Sequence, residues 1–169
     1  MEKPYFRVKK LKEAAILPSK RDEDAGYDLY GVVEENFILL KPGDIRMFST
    51  GISIEIPKDW VFYVAERGST GSKGIARRCG VVDSGYRGEI FVPLNNTSNK
   101  PILFYREDNE FMDEFLKENS LERTEITLYP ISKAITQGML LYCPHVEVEE
   151  VDELQDSIRG ENALGSSGK

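Results

Sequence analysis

Apolar and polar positions alternate in short runs through the first hundred residues. Ile52, Ile54 and Ile56 alternate with Ser53 and Glu55, the period of two that marks a strand with one buried face. Trp60 to Val64 is aromatic and β-branched, and Pro57-Lys58-Asp59 separates the two runs as a turn. Lys41-Pro42-Gly43-Asp44 punctuates the chain in the same way. Ile90, Val92 and Leu94 alternate again until Asn95-Asn96 ends the run. Strands at roughly ten-residue spacing with turns between them predict an all-β barrel or sandwich, paired through hairpins rather than βαβ units.

One segment departs from this rhythm. Asp108 to Asn119 predicts a helix with Phe111, Met112, Phe115 and Leu116 on one face, capped by Asp108 or Asn109. A helix of about three turns is marginal alone, so its apolar face needs a cover. Packing on its own barrel is one cover; the other is a protein partner recruited to an exposed patch. Ile126, Leu128 and Ile131 return to strand-like composition, and an acidic stretch from Glu147 to Asp156 leads into a Gly/Ser-rich end.

Composition narrows the class. A chain of 169 residues with 40% apolar content builds one domain with a core of its own. Its 22 Lys and Arg face 29 Asp and Glu, a net charge of −7, which disfavours binding to a nucleic-acid backbone. A small anion can still be held where basic residues gather. Cys79 and Cys143 lie far apart and His145 is the one histidine, too few ligands for a Cys/His zinc cluster. No apolar stretch approaches a membrane span, and Met1 to Arg7 has no apolar leader. A soluble, cytoplasmic protein is expected.

Four glycine-punctuated segments carry candidate chemistry: Ala25 to Tyr30, Arg67 to Gly74, Gly80 to Glu89, and Arg159 to Lys169. The second and fourth combine glycines, hydroxyls and a cation, the ingredients of an anion cradle. Neither matches a P-loop; taken alone each reads better as a solvated turn, and the final Gly-Ser-Ser-Gly also resembles a linker. The third sets Asp83 near a strand end, with Tyr86 three residues on. A carboxylate beside an aromatic platform can orient a water and pack against a sugar or base; a plain turn is the competing reading.

In this order and spacing the four segments resemble motifs I, II, III and V of the trimeric all-β dUTP pyrophosphatases, the dUTPases. Ala134-Ile135-Thr136-Gln137 resembles motif IV, and Thr50-Gly51 followed by Ile56-Pro57 adds a further shared run. The resemblance implies a jelly-roll-like dUTPase barrel of residues 1–158, with a short helical insertion at about 100–127. A flexible C-terminal arm, 159–169, completes it. It also implies a homotrimer whose sites lie between chains, and hydrolysis of dUTP to dUMP and pyrophosphate by in-line attack of water on the α-phosphate, with Mg²⁺ on the triphosphate.

Residue by residue, Asp83 matches the water-orienting carboxylate and Tyr86 the ring that packs on the deoxyribose. Asp28 matches the carboxylate that holds a water of the Mg²⁺ shell. Arg67, Gly68, Ser69 and Gln137 match or neighbour the phosphate contacts, and Arg159 matches the arginine aimed at the γ-phosphate. Leu164 stands where the family places a uracil-stacking Phe, and a backbone hairpin from about Ile75 to Gly80 is the expected reader of uracil. Gly68 replaces a motif II serine and Ala134 a motif IV arginine. Two rival functions remain open: a dCTP deaminase of the same fold, disfavoured by Pro93 where that family has Glu, and a non-catalytic regulatory protein.

Overall fold

A computed structural model describes residues 4–107, 111–158 and 160. Among them the strands are β1 (Arg7–Lys10), β2 (Tyr27–Leu29), β3 (Phe37–Leu40), β4 (Ile45–Ser49), β5 (Ile52–Glu55) and β6 (Trp60–Ala65). After the single turn of helix α1 (Gly68–Gly71) come β7 (Ile75–Arg77), β8 (Val81–Asp83), β9 (Phe91–Asn96) and β10 (Ile102–Tyr105). Helix α2 (Met112–Glu118), β11 (Thr127–Pro130) and β12 (Thr136–Tyr142) follow.

The expected all-β class holds, but the strands form four short sheets rather than a closed barrel: β1-β5, β11-β10-β3, β2-β12-β6-β8 and β4-β9-β7. All four feed one core. Leu29, Ile38, Phe48, Ile54, Phe62, Val64, Ile75, Val92, Leu94 and Phe104 are buried in a single cluster. Each such side chain contributes roughly 1.5–3 kcal/mol on leaving water. The alternating residues of β9 and β6 supply this face as their period predicts. In β5 the polar partner does not stay outside: Ser53 is buried with its neighbours, and β1 pairs antiparallel along that strand with Lys9 opposite Ser53. The turn into β5 needs Gly51 at φ +67, where a side chain would meet Ala15 and Val32.

Asn95 and Asn96 close β9, as the pattern predicts. They are its last two residues and both are buried. Asn96 Nδ2 donates to the carbonyls of Leu40 (2.9 Å) and Lys100 (2.8 Å), and Asn95 Nδ2 to those of Gly43 (3.1 Å) and Asp44 (2.9 Å). Buried amides with such partners tie the neighbouring turns to the core.

The stretch expected to protrude, 100–127, divides in two. Ile102–Tyr105 is β10, antiparallel to β3, with Ile102, Leu103 and Phe104 fully buried. Only the link between β10 and β11 leaves the sheet. Those two strands are parallel, a pairing that no tight turn can join, and α2 makes the crossover. One βαβ unit therefore sits where hairpins alone were expected. The helix is shorter than its pattern predicts, Met112–Glu118; the proposed caps Asp108 and Asn109 lie outside the described residues. Met112 and Leu116 are buried against Leu103 and Ile126, and the Phe115 ring stacks on Phe37 at 4.5 Å. Met112, Phe115 and Leu116 of the apolar face are thus covered by the protein's own sheet, while Phe111 stays 53% exposed.

Candidate active site

The four-stranded sheet β2-β12-β6-β8 places the chemistry. Asp28 on β2 lies directly opposite Gln137 on β12, and Gln137 lies opposite Ala65 on β6. The chain leaves β6 at Glu66 and turns into α1, which brings Arg67 back over this end of the sheet. Thr70 fixes the turn: its buried hydroxyl donates to the Arg67 carbonyl (3.0 Å) and accepts from the Arg67 N–H (3.3 Å). The segment is a built corner, not a solvated turn.

Arg67 then makes contacts in three directions. Its Nε and Nη2 approach the two oxygens of Asp28 at 2.9 and 3.3 Å, a two-point grip on the carboxylate. Its Nη1 donates to Ser69 Oγ and to the Ala134 carbonyl, each at 3.1 Å. The Ala134 carbonyl also accepts from Tyr129 Oη at 2.6 Å. Burial pushes the Tyr129 hydroxyl above its ordinary pKa, so it stays a donor. Ala134 is buried, and motif IV acts here through its backbone rather than through an arginine side chain. Gln137 Nε2 donates to the Glu66 carbonyl at 2.7 Å, and its side chain fills the space beside Gly26 that any Cβ there would need.

These groups open onto one cavity of about 810 Å³, lined among others by Lys20, Arg21, Asp28, Arg67, Gly68, Ser69 and Gln137. Sequence reasoning named five of these seven. It missed Lys20 and Arg21, which precede the first glycine segment; a pair of adjacent cations was the available signal. Arg159 and Leu164 lie outside the described residues.

Asp83 and Tyr86 are elsewhere. Asp83 ends β8 at the opposite edge of the sheet and is exposed, paired with Val61. Tracing the register from Asp28 through Gln137 and Ala65 to Val61 and Asp83 crosses three strand spacings and shifts four residues along β6. That is a separation on the order of 20 Å, too large for one chain to bring both carboxylates to a single phosphate. Tyr86 folds back over Gly88 and donates its hydroxyl to the Glu89 carbonyl at 2.9 Å, which leaves one side of the ring exposed. The expected hairpin from Ile75 to Gly80 is a corner between sheets: β7 pairs with β9, and β8 with β6. Gly80 packs tightly there against Arg77 and Val64, its carbonyl accepting the Val64 N–H at 2.7 Å.

A magnesium ion fits this donor set in one way only. Among the described residues no three His, Cys, Asp or Glu side chains converge, so the chain builds no cage of its own. Mg²⁺ retains several waters and takes one or two carboxylates along with substrate phosphates, and Asp28 at the cavity wall suits an outer position of that kind. Cys79 and Cys143 are both exposed, and Cys79 has no base beside it.

Comparison with known proteins agrees with the motif order. The dUTPase family model matches residues 12–108. The chain belongs to the dUTPase family. A deoxyuridine 5'-triphosphate nucleotidohydrolase of Clostridium novyi is 33% identical over 165 residues, covering 95% of this chain and 96% of that protein. Its counterpart in Clostridium tetani is 31% identical over 168 residues, with 97% of each covered. Among solved dUTPase structures, that of Staphylococcus bacteriophage 80alpha with dUPNHPP superposes with a TM-score of 0.74 at 23% identity, covering 98% of this chain and 99% of its own. A phage phi11 dUTPase variant described with a structural Mg(II) ion matches with a TM-score of 0.65 at 19% identity, over 90% of this chain and 99% of its own.

Proposed function

We propose that this dUTPase-family chain hydrolyses dUTP to dUMP and pyrophosphate, in sites assembled between the chains of a homotrimer. The observation that carries the reading is that Asp28, Arg67, Ser69 and Gln137, drawn from three separate stretches, line one cavity rich in phosphate donors. The family membership and the names of the relatives point to the same substrate.

In this reading the cavity holds the triphosphate. Arg67, Ser69 and Gln137 orient it, and Asp28 would hold a water of the shell of a bound magnesium ion. Magnesium, when bound, neutralises charge on the phosphate oxygens. Asp83 comes from a neighbouring chain and takes a proton as it directs water at the α-phosphorus. The Pα–O bond to the leaving pyrophosphate breaks in line with that attack. Tyr86 packs on the deoxyribose and leaves no room for a 2′-hydroxyl, and the arm 159–169 closes the site. The 20 Å scale separating Asp83 from Asp28 favours assembly from several chains. So does the extended run from Val146 to Ile158, where Val148, Leu154 and Ile158 stand almost fully exposed and need an apolar cover.

The deaminase alternative lacks its acid. The residue ten beyond Asp83 is Pro93, which lies across from Met47 inside a paired strand. A pyrophosphate-release assay with dUTP, run beside an ammonia-release assay with dCTP, tests the reading. Turnover of dUTP alone is expected. Ammonia from dCTP would replace it with the deaminase, and no turnover of either would leave the regulatory alternative.

A further inference from the structure

The cavity beside Asp28 is lined by three cations, Lys20, Arg21 and Arg67, and their commitments differ. Arg67 spends its guanidinium on Asp28, Ser69 and the Ala134 carbonyl. Lys20 folds back as a staple of its own loop, donating to the carbonyls of Asp24 (2.7 Å) and Arg21 (3.3 Å) while its ammonium lies 5.5 Å from the Tyr27 ring centroid. Removing either from its partners would disturb the framework that shapes the site.

Arg21 is different. Its side chain is 89% exposed and is held by one ion pair, Nε to Asp24 Oδ2 at 3.0 Å. Among the described residues its two Nη groups make no hydrogen bond. The same Asp24 oxygen also accepts the Arg21 backbone N–H at 3.3 Å. Two donors thus converge on one anionic oxygen at the wall of the cavity, and a solvated pair of this kind contributes little to stability. A phosphate oxygen can take the place of the Asp24 carboxylate with the same donors and a better geometric match to the guanidinium fork.

Building on the dUTP reading above, we propose that Arg21 is a binding residue for the terminal phosphate of the substrate, with Asp24 holding its Nε until the triphosphate arrives. Arg67 organises the floor of the site, and Arg21 supplies the exposed cation that recognises chain length in the phosphate tail. Asp24 is then a built-in competitor that a triphosphate displaces and a monophosphate does not.

Steady-state kinetics with dUTP, together with binding of dUMP and of a non-hydrolysable imido analogue of dUTP, test this in the wild type, Arg21→Ala and Asp24→Asn. Arg21 is exposed, so the variant folds. Arg21→Ala is expected to raise KM for dUTP and weaken the analogue about 10-fold, the scale of a lost charged hydrogen bond. Its kcat should stay within about twofold and its affinity for dUMP should not change. Asp24→Asn should lower KM. Unchanged KM in Arg21→Ala, or equal losses for dUMP and the analogue, would overturn the proposal while leaving the dUTP reading intact. Absence of dUTP turnover in the wild type would overturn the reading itself.

Discussion

The Arg67 guanidinium and the Asp28 carboxylate meet edge to edge, Nε to Oδ1 at 2.9 Å and Nη2 to Oδ2 at 3.3 Å. Both side chains are about one quarter to one third exposed. The pair therefore works less as a source of stability than as a device that fixes two site residues relative to each other.

That geometry makes Arg67→Lys a severe change. Lysine keeps the charge but cannot meet both carboxylate oxygens, Ser69 and the Ala134 carbonyl at once. The expected outcome is a fall in kcat/KM for dUTP of about 10²-fold, as seen when positioning around a reacting centre is lost. The melting temperature should drop by only a few degrees. A calorimetric scan beside initial-rate kinetics separates the two effects.

In the proposed reading Asp83→Asn removes the base and keeps the size. It should lower kcat by about 10²–10⁴ while substrate still binds. The register adds a sharper test. Because Asp83 and Arg67 of one chain serve different sites in the proposed assembly, Asp83→Asn and Arg67→Ala proteins, each crippled alone, should regain activity when unfolded and refolded together. Mixed trimers then contain sites that draw Asp83 from one variant and Arg67 from the other. No recovery on mixing would mean that each site draws both residues from one chain.

The alternating patterns made the strands and their core face readable, because burial of one side of a sheet imposes a period of two. Asp28, Arg67, Asp83 and Tyr86 were readable through the resemblance of their glycine-punctuated segments to the family motifs, since each segment alone reads as well as a turn. What stayed hidden is what pairing decides. Nothing local says that β1 pairs with β5 or that Ser53 is buried, that Asn95 and Asn96 spend their amides on distant carbonyls, or that β10 and β11 run parallel. The site has the same character. Asp28, Arg67, Gly68, Ser69 and Gln137 were visible on their own segments while Lys20 and Arg21 were not, and the grip of Arg67 on Asp28 and the distance to Asp83 exist only once β12 and β6 lie between β2 and β8.

In the proposed reading Tyr86 would exclude ribose by occupying the place where a 2′-hydroxyl would project. Truncation to alanine should therefore narrow the ratio of kcat/KM for dUTP over UTP, with the larger change on the UTP side. Competition assays with both nucleotides in one mixture give that ratio directly. A ratio that does not move assigns the discrimination to another group.

Helix α2 should matter for stability and not for turnover. Leu116 is 4% exposed and packs with Leu103, Met112 and Ile126. Leu116→Ala should cost about 2–4 kcal/mol through lost burial and the cavity left behind. Denaturant unfolding measures that cost. The kcat of the folded variant should stay unchanged, since α2 joins β10 to β11 on a sheet separate from the one bearing Asp28 and Asp83. Replacing the crossover must spare residues up to Tyr105, because Ile102 to Phe104 are wholly buried.

Gly68 offers a gain rather than a loss. A Cβ built there meets nothing within 4 Å, and its backbone is not in the left-handed region. A serine therefore fits without strain at the first position of α1, next to Arg67 and facing the same cavity as Ser69. Replacing glycine also reduces the entropy of the unfolded chain, by about 0.4–1 kcal/mol at a compatible site. Gly68→Ser should raise the melting temperature slightly and add one hydroxyl donor to the phosphate cradle, lowering KM for dUTP several-fold with kcat little changed. Should KM rise instead while stability improves, the Gly68 backbone would be making a close approach to the substrate that a side chain obstructs, and the cradle would depend on glycine at that point.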